Sequence, residues 1–226
     1  MGHGPQIRSA YQNSEKKYNY DKVFEPLEDI ISSVDFAVAN LEVTLAGPPY
    51  MGYPQFSSPD ELAEACKNNG MDVLVTANNH SCDRKNSGVI RTVEVLDSFK
   101  ILHTGTFKDE KKRDQENLLI LSKKGIKVGL LNYTYGTNGI PFSTPAYVNM
   151  LDSSLIKQDV INARKKKLDK LIVFVHWGYE YRDFPNSYQK KFNTFFNEIG
   201  VDVVIGSHPH VLQPMIYNIE NNKEFL

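Results

Sequence analysis

Two stretches of sequence decide the fold class: residues 170–180, KLIVFVHWGYE, and residues 201–210, VDVVIGSHPH. In each, a run of apolar, mostly β-branched residues leads into histidine, and the run is apolar at nearly every position rather than at every second one. Strands of this kind are covered on both faces, which is typical of mostly parallel sheets in α/β proteins. We therefore predict strands at residues 171–175 and 203–205 of a mostly parallel sheet.

The rest of the chain alternates short strand-like runs with longer amphipathic ones, which favours an α/β domain. Further strands are expected at residues 36–39, 73–76, 118–121 and 127–132. Helices are expected at residues 22–33, 59–69, 87–99, 152–167 and 187–199. The second of these helices has Ser58 as its expected N-cap and Gly70 at its end.

Length and composition exclude several classes of protein. With 226 residues, the chain is expected to form one domain, residues 1–226. Because 26 Lys and Arg oppose 27 Asp and Glu, no overall field would hold the chain on nucleic acid, and we expect no nucleic-acid partner. No apolar run approaches the roughly 20 residues that cross a bilayer, so no transmembrane segment is expected. Cys66 and Cys82 could form one disulfide at most and are more simply interpreted as buried thiols.

Side chains able to bind metals follow four of the predicted strands. They are Asn40 and Glu42, then Asn78, Asn79, His80 and Asp83, then His176 and Glu180, and last His208 and His210. Because the carboxyl ends of parallel strands form one rim, we expect these side chains to converge. One histidine after a strand is more often structural, but four of the six histidines lie at these ends. Imidazole, carboxylate and carboxamide ligands suit Mn, Fe or Zn. One or two such ions, about 3.5–4 Å apart if two, would activate a water and hold a phosphoryl or acyl oxygen.

The segments NLE (40–42), ANNHSCD (77–83), HWGYEY (176–181) and GSHPHVLQP (206–214) resemble, in order, the motifs of a known family. It is the bacterial capsule-synthesis protein CapA (poly-gamma-glutamate) family, a branch of the calcineurin-like metallophosphoesterase superfamily. The resemblance covers most of the chain. It implies a four-layer sandwich, two mixed β-sheets flanked by helices, with the site at one end. It also implies work in capsule synthesis at the cell envelope, together with other components of the capsule machinery.

Roles carried over from this resemblance assign the candidate site. The implied metal ligands are Glu42, Asn79, His176, His208 and His210. Glu42 stands where the superfamily has a bridging aspartate, with Asn40 as the alternative. His80 would donate a proton or hydrogen bond to the leaving oxygen. Glu180 is not a superfamily ligand, and we group it with His80 as catalytic, since it could bind substrate or hold a histidine in the ligating tautomer. Asp83 is expected to support the site or to cap the helix that follows it.

Five residues are candidates for binding the substrate, an anionic polymer or a phosphoester. They are Asn40, Asn78, Tyr133, Tyr135 and Arg182. The tyrosines follow the strand at 127–132, where tyrosine is as often only an amphipathic cap. A guanidinium matches carboxylate or phosphate, although an arginine in such a place is more often a surface ion-pair partner.

Two departures from the family pattern leave the activity open. Family members open with an apolar strand ending in Gly-Asp, whose aspartate binds metal, and they continue past the last histidine motif with another strand pair. This chain opens on MGHGPQIRSAY and ends soon after that motif, so we expect truncation at both ends and a weakly held second cation. The alternatives are a metal-dependent hydrolase and a non-catalytic polymer-binding or assembly component. A serine hydrolase is excluded because no Gly-x-Ser-x-Gly elbow is present.

Overall fold

Short strands and helices alternate along the chain. The computed structural model describes residues 2–220 and 223–225. Its strands are β1 (Tyr11–Gln12), β2 (Lys17–Tyr18), β3 (Val38–Asn40), β4 (Val73–Val75), β5 (Leu102–Thr104), β6 (Thr106–Phe107), β7 (Leu119–Lys123), β8 (Ile126–Thr134), β9 (Tyr147–Val148), β10 (Lys170–His176), β11 (Val203–Ser207), β12 (Asn218–Glu220) and β13 (Lys223–Phe225).

Eight α-helices lie in the same described part of the chain. They are α1 (Gly4–Ala10), α2 (Asp21–Phe24), α3 (Glu28–Ser33), α4 (Glu61–Asn68), α5 (Lys85–Ser98), α6 (Glu110–Glu116), α7 (Ser153–Arg164) and α8 (Ser187–Glu198). A 3-10 helix, Glu25–Leu27, joins α2 to α3. Within the described residues, no helix combines the length and the apolar character that crossing a bilayer requires.

The two main sheets have different topologies. The larger has the order β11-β10-β8-β7, in which β10 runs parallel to β11 and β8, while β7 is antiparallel to β8. The smaller has the order β3-β4-β5 and is parallel throughout. The predicted parallel pairing is therefore confirmed for six of the seven strands in these two sheets, and the larger sheet is mixed. The remaining strands form the antiparallel pairs β1-β2, β6-β9 and β12-β13.

The sheets pack face to face, with helices on both outer sides. Val73 and Val75 of β4 belong to the same buried cluster as Leu130 of β8 and Phe174 of β10. Side chains alternate between the two faces of a strand, so Leu74 belongs instead to the cluster that contains the buried residues of α4. On the other side, α7 and α8 pack on the outer face of the larger sheet. The layers run helix, sheet, sheet, helix, which is the four-layer α/β sandwich expected.

Several predicted boundaries need correction. The predicted helix at 22–33 is divided, because Pro26 lies in the 3-10 helix and lacks the N–H that an α-helix uses in its ladder. The predicted helix at 59–69 begins at Glu61. Ser58 does not cap it, and its hydroxyl finds no hydrogen-bond partner among the described residues. Cys66 and Cys82 are both buried free thiols, so no disulfide forms.

Candidate metal centre

His176 lies at the centre of the candidate site, at the carboxyl end of β10, and its side chain is fully buried. Its Nε2 is 2.9 Å from Oδ1 of Asn79 and 3.5 Å from Oε1 of Glu42. Its Nδ1 is 2.9 Å from Oγ of Ser207, and that hydroxyl can donate onward to the Val175 carbonyl at 3.5 Å. With Nε2–H donating to Asn79, Nδ1 can accept from the Ser207 hydroxyl and from Nδ2 of Asn40 at 3.4 Å, and this tautomer satisfies all the contacts. In the other tautomer Nδ1–H would donate to Ser207, and the Nε2 lone pair would face Asn79 and Glu42 as a ligand of a cation does.

Burial keeps the central histidines neutral. It lowers the pKa of His176 to about 2, and the neighbouring His208, His80 and His210 act in the same direction. Burial also lowers the pKa of His208 from its ordinary value. Since metal ions bind neutral imidazole, both side chains are in the ligating protonation state at neutral pH. Burial raises the pKa of the Glu42 carboxyl from its ordinary value.

Two overlapping groups of ligand atoms meet here. In the first, the ligand atoms of Glu42, His176 and His208 lie within 4.8 Å of one another. In the second, those of Glu180, His208 and His210 do so. Glu42 lies between the groups, since its Oε1 is 3.5 Å from Nε2 of His176 and 4.0 Å from Nε2 of His210.

The spacing of these atoms fits a divalent cation. Two ligands each about 2.1 Å from one ion are roughly 3.0–3.4 Å apart, depending on the geometry. The distances of 2.9 and 3.5 Å around Nε2 of His176 are close to that range. In addition, Nδ1 of His208 is buried without a hydrogen-bond partner among the described residues. An orphaned buried nitrogen is costly unless it binds a ligand, so these residues fit a metal site.

His80 forms a separate pair with Asp83. Nδ1 of His80 is 2.7 Å from Oδ2 of Asp83, and the same oxygen accepts from the backbone N–H of Phe56 at 2.7 Å. The edge of the Phe56 ring packs against His80, with 4.6 Å between ring centroids. Asp83 therefore does not cap α5; the N-cap position is Arg84, without a side-chain cap. Because Nδ1 is paired with Asp83, Nε2 is the ring nitrogen of His80 that stays available for another contact.

A cavity of about 480 Å³ opens beside the two ligand groups. Its polar lining includes Glu42, His80, Glu180 and His210, and its inner wall is apolar, with Leu41 among its residues. A substrate placed in this cavity can reach the ligand groups and His80 together.

The two asparagines predicted to bind substrate have different surroundings. Asn40 lines the cavity, and its Nδ2 donates to Glu42 at 3.1 Å. Asn78 is fully buried: its Nδ2 donates to the Leu41 carbonyl at 2.8 Å, and its Oδ1 accepts from the His80 N–H at 3.0 Å. Every polar atom of the Asn78 side chain is used within the protein. Asn78 therefore braces the loop, and the structure leaves no polar atom of its side chain free for the predicted contact with substrate.

The tyrosine and arginine candidates also separate. Tyr133 is fully buried in the cluster beneath α7, and its hydroxyl donates to Asp159 at 2.8 Å, so the structure does not place it in the cavity where it was predicted to bind substrate. Tyr135 is 39% exposed, and its ring lies 5.0 Å from that of His208. Arg182 lies in a neighbouring surface depression formed by Tyr179 and residues 181–184. Only Tyr135 of the three contacts the ligand groups.

Asn132 contributes to the site although sequence reasoning missed it. It is fully buried in β8, and its Oδ1 accepts from the N–H groups of Ala77 at 2.7 Å and Thr76 at 3.1 Å. Its Nδ2 donates to the carbonyl of Phe174 in β10 at 3.1 Å. Asn132 thus joins the start of the loop carrying Asn79 to the strand carrying His176. The available signal was one amide inside the apolar run 128–133.

Comparison with known families decides the identity. Residues 1–224 match the model of the family described as bacterial capsule synthesis protein PGA_cap. The chain belongs to this family. PGA_cap membership confirms the resemblance carried by the four motifs.

Two curated relatives carry matching names. The chain is 26% identical over 208 residues to the capsule biosynthesis protein CapA of Bacillus anthracis, covering 87% of this chain and 50% of that protein. It is 27% identical over 212 residues to the PGA biosynthesis protein CapA of Bacillus subtilis (strain 168), covering 88% and 53%. The chain thus spans about half the length of the curated relatives it matches.

Solved structures support the fold alone. The NAD nucleotidase NadN of Haemophilus influenzae superposes with a TM-score of 0.59 at 13% identity, covering 90% of this chain and 37% of that one. The sulfate thiohydrolase SoxB from Thermus thermophilus superposes with a TM-score of 0.52 at 14% identity, covering 86% and 34%. The PGA_cap chain therefore has a fold of the metallophosphoesterase type.

Proposed function

We propose that this PGA_cap protein is a divalent-metal-dependent hydrolase of capsule synthesis, acting on a phosphoester or on a bond of an anionic polymer. One observation carries the proposal: a buried, neutral His176 places Nε2 2.9 Å from the Asn79 oxygen and 3.5 Å from a Glu42 oxygen. A single Nε2–H needs only one acceptor. Here a carboxylate oxygen and a carboxamide oxygen converge on the same nitrogen, as the ligands of one cation do.

Glu42, Asn79, His176 and His208 would hold the first cation. When bound, a cation there supplies Lewis-acid chemistry, activating a water molecule and drawing charge from a substrate oxygen. With a cation on Nε2, Nδ1–H of His176 would donate to Oγ of Ser207, the support that ligating histidines normally have. Manganese, iron and zinc all suit this mixed set of nitrogen and oxygen ligands.

His80 would move the proton at the leaving-group oxygen. Asp83 fixes its ring through the 2.7 Å contact to Nδ1, so Nε2 is the nitrogen that faces the bound substrate. Proton transfer by a positioned side chain typically contributes about 10²–10⁴-fold to the rate. Tyr135, half exposed beside His208, would contact the substrate at the rim. Asn40, in the cavity wall, would orient Glu42 through its 3.1 Å hydrogen bond.

The test compares two histidine variants of the purified protein. His176→Ala should lose bound metal and at least about 100-fold of the hydrolysis of bis(p-nitrophenyl) phosphate or poly-gamma-glutamate, because the first cation loses a ligand. His103→Gln is the matched control: His103 contacts Asp97 at 3.1 Å and belongs to neither ligand group. Circular dichroism would show that both variants fold. Wild-type metal content and rate in His176→Ala would contradict the proposal.

A second candidate is a non-catalytic polymer-binding or assembly component of the capsule machinery. The wider spacing around His210 favours it, since the Glu180–His210 and Glu42–His210 contacts are 3.8 and 4.0 Å. Elemental analysis separates the two: metal-free protein that binds poly-gamma-glutamate supports the assembly role.

A further inference from the structure

We propose that Glu180 is a ligand of a second cation, held with His210 and His208 beside the first. This inference rests on the proposed function and assigns a new residue to it. Oε1 of Glu180 lies 3.8 Å from Nε2 of His210, and a nitrogen of His208 completes a group within 4.8 Å. A closing movement of roughly half an ångström would bring Oε1 of Glu180 and Nε2 of His210 to the separation expected for two ligands of one ion.

The backbone holds Glu180 against the histidine segment. The N–H of Tyr181, the next residue, donates to the carbonyl of Pro209 at 2.7 Å, and Pro209 lies between the two histidines of the group. One residue further, the carbonyl of Arg182 accepts from Gln213 at 2.8 Å. Glu180 is therefore on a segment bonded at two points to the chain around His208 and His210. A surface carboxylate on a free loop would not be fixed in this way.

The histidine segment has an unusual backbone. His208 has a φ of +99° and His210 a φ of +56°, values that residues with a side chain rarely adopt. Such conformations cluster at functional sites. In this case they turn two imidazoles separated by one residue toward the same space, with 6.1 Å between the ring centroids.

Charge also favours a ligand role. Glu42 and Glu180 both approach Nε2 of His210, at 4.0 and 3.8 Å. Two carboxylates therefore converge on one imidazole ring. A divalent cation at this place would neutralise the charge of both carboxylates. If Glu180 acted only as a general base, a second carboxylate beside it would not be needed. The side chains of Glu180 and His210 are 46% and 43% exposed, which leaves an entry path for the ion.

The experiment measures metal stoichiometry in the whole chain. Protein stripped with chelator is dialysed against Mn²⁺, and bound metal is counted by mass spectrometry and followed by electron paramagnetic resonance. Wild type should bind two ions and give the broad spectrum of coupled Mn²⁺. Glu180→Gln, which keeps the size of the side chain and removes its charge, should weaken the second ion at least about 10-fold and give the six-line spectrum of a single ion. Asp183→Asn, an exposed acidic neighbour, is the matched control and should match wild type.

The outcomes separate this inference from the proposed function. Two ions in Glu180→Gln with wild-type affinity would overturn the role of Glu180 while leaving a metal centre in place. One ion in wild type, unchanged in Glu180→Gln, would do the same. No bound Mn²⁺ in wild type, with Fe and Zn also tested, would overturn both proposals. Loss of both ions in a Glu180→Gln protein that is folded by circular dichroism would overturn the assignment to the second cation alone.

Discussion

Replacing Asn132 with leucine should lower the free energy of unfolding by about 2–4 kcal/mol and weaken metal binding at the candidate centre. The Ala77 N–H donates to Asn132 at 2.7 Å and would be left buried without that acceptor, which costs about 1–3 kcal/mol. The N–H of Thr76 keeps its hydrogen bond to the Thr104 carbonyl, so the loss of its contact with Asn132 adds little to the destabilisation. The lost bond to the Phe174 carbonyl adds about 1 kcal/mol.

The assay is urea unfolding followed by fluorescence and circular dichroism. Asn162→Leu, on the exposed face of α7, is the matched control and should change the free energy of unfolding by less than about 0.5 kcal/mol. Since Ala77 directly precedes the loop with Asn79 and His80, Asn132→Leu should also bind Mn²⁺ more weakly than the control. A stability within 0.5 kcal/mol of wild type, together with unchanged metal affinity, would refute the argument that Asn132 joins the two sheets beneath the site.

Three further predictions test the chemistry of single groups. Asp83→Asn should lower the rate of phosphodiester hydrolysis at least about 10-fold with metal content unchanged, because His80 loses its orienting carboxylate; a normal rate in steady-state kinetics would contradict the pairing. Burial raises the pKa of Cys66 to about 11 and of Cys82 to about 12 from an ordinary value of 9.0, so neither should react with Ellman's reagent at pH 8 unless the protein unfolds. The unfolded thiol of Cys66 ionises near pH 9 while the folded one stays protonated, so its contribution to stability is intact below pH 9 and is lost as pH rises toward 11, by roughly 1 kcal/mol per pH unit. Urea unfolding at pH 8 and pH 10 should therefore show a shallower decline in Cys66→Ala than in wild type, and equal slopes would contradict it.

The strands could be predicted because their signal is local. The run at 171–175 appears as β10 (Lys170–His176) and the run at 203–205 as β11 (Val203–Ser207). Unbroken apolar runs report burial on both faces, and that burial is what defines a central strand. By contrast, β6 and β9 have two residues each, too few to show any periodicity. Their pairing depends on contacts between distant parts of the chain.

The sequence predicted which segments contribute to the site, but not the direction in which each side chain points. That polar residues follow the strands is a property of sequence, so the convergence of His176 with Glu42 could be expected. Which side of a strand a residue faces depends on where the strand ends. Because β8 continues to Thr134, Tyr133 turns inward and Tyr135 reaches the rim. Asn132 was missed because its partners belong to the other sheet, and no local pattern names them.

The ligand groups draw on both sheets: Glu42 and Asn79 follow strands of the smaller one, while His176 and His208 follow strands of the larger. A cation bound at the site would therefore act as a clasp, meaning that it would contact both sheets of the sandwich at once. It would bind the folded protein and not the unfolded chain. At a free concentration one hundred times its dissociation constant, such a clasp adds about 2.7 kcal/mol to the folded protein. Thermal unfolding would then also report ion binding, because each ion that binds the folded protein would raise the transition temperature.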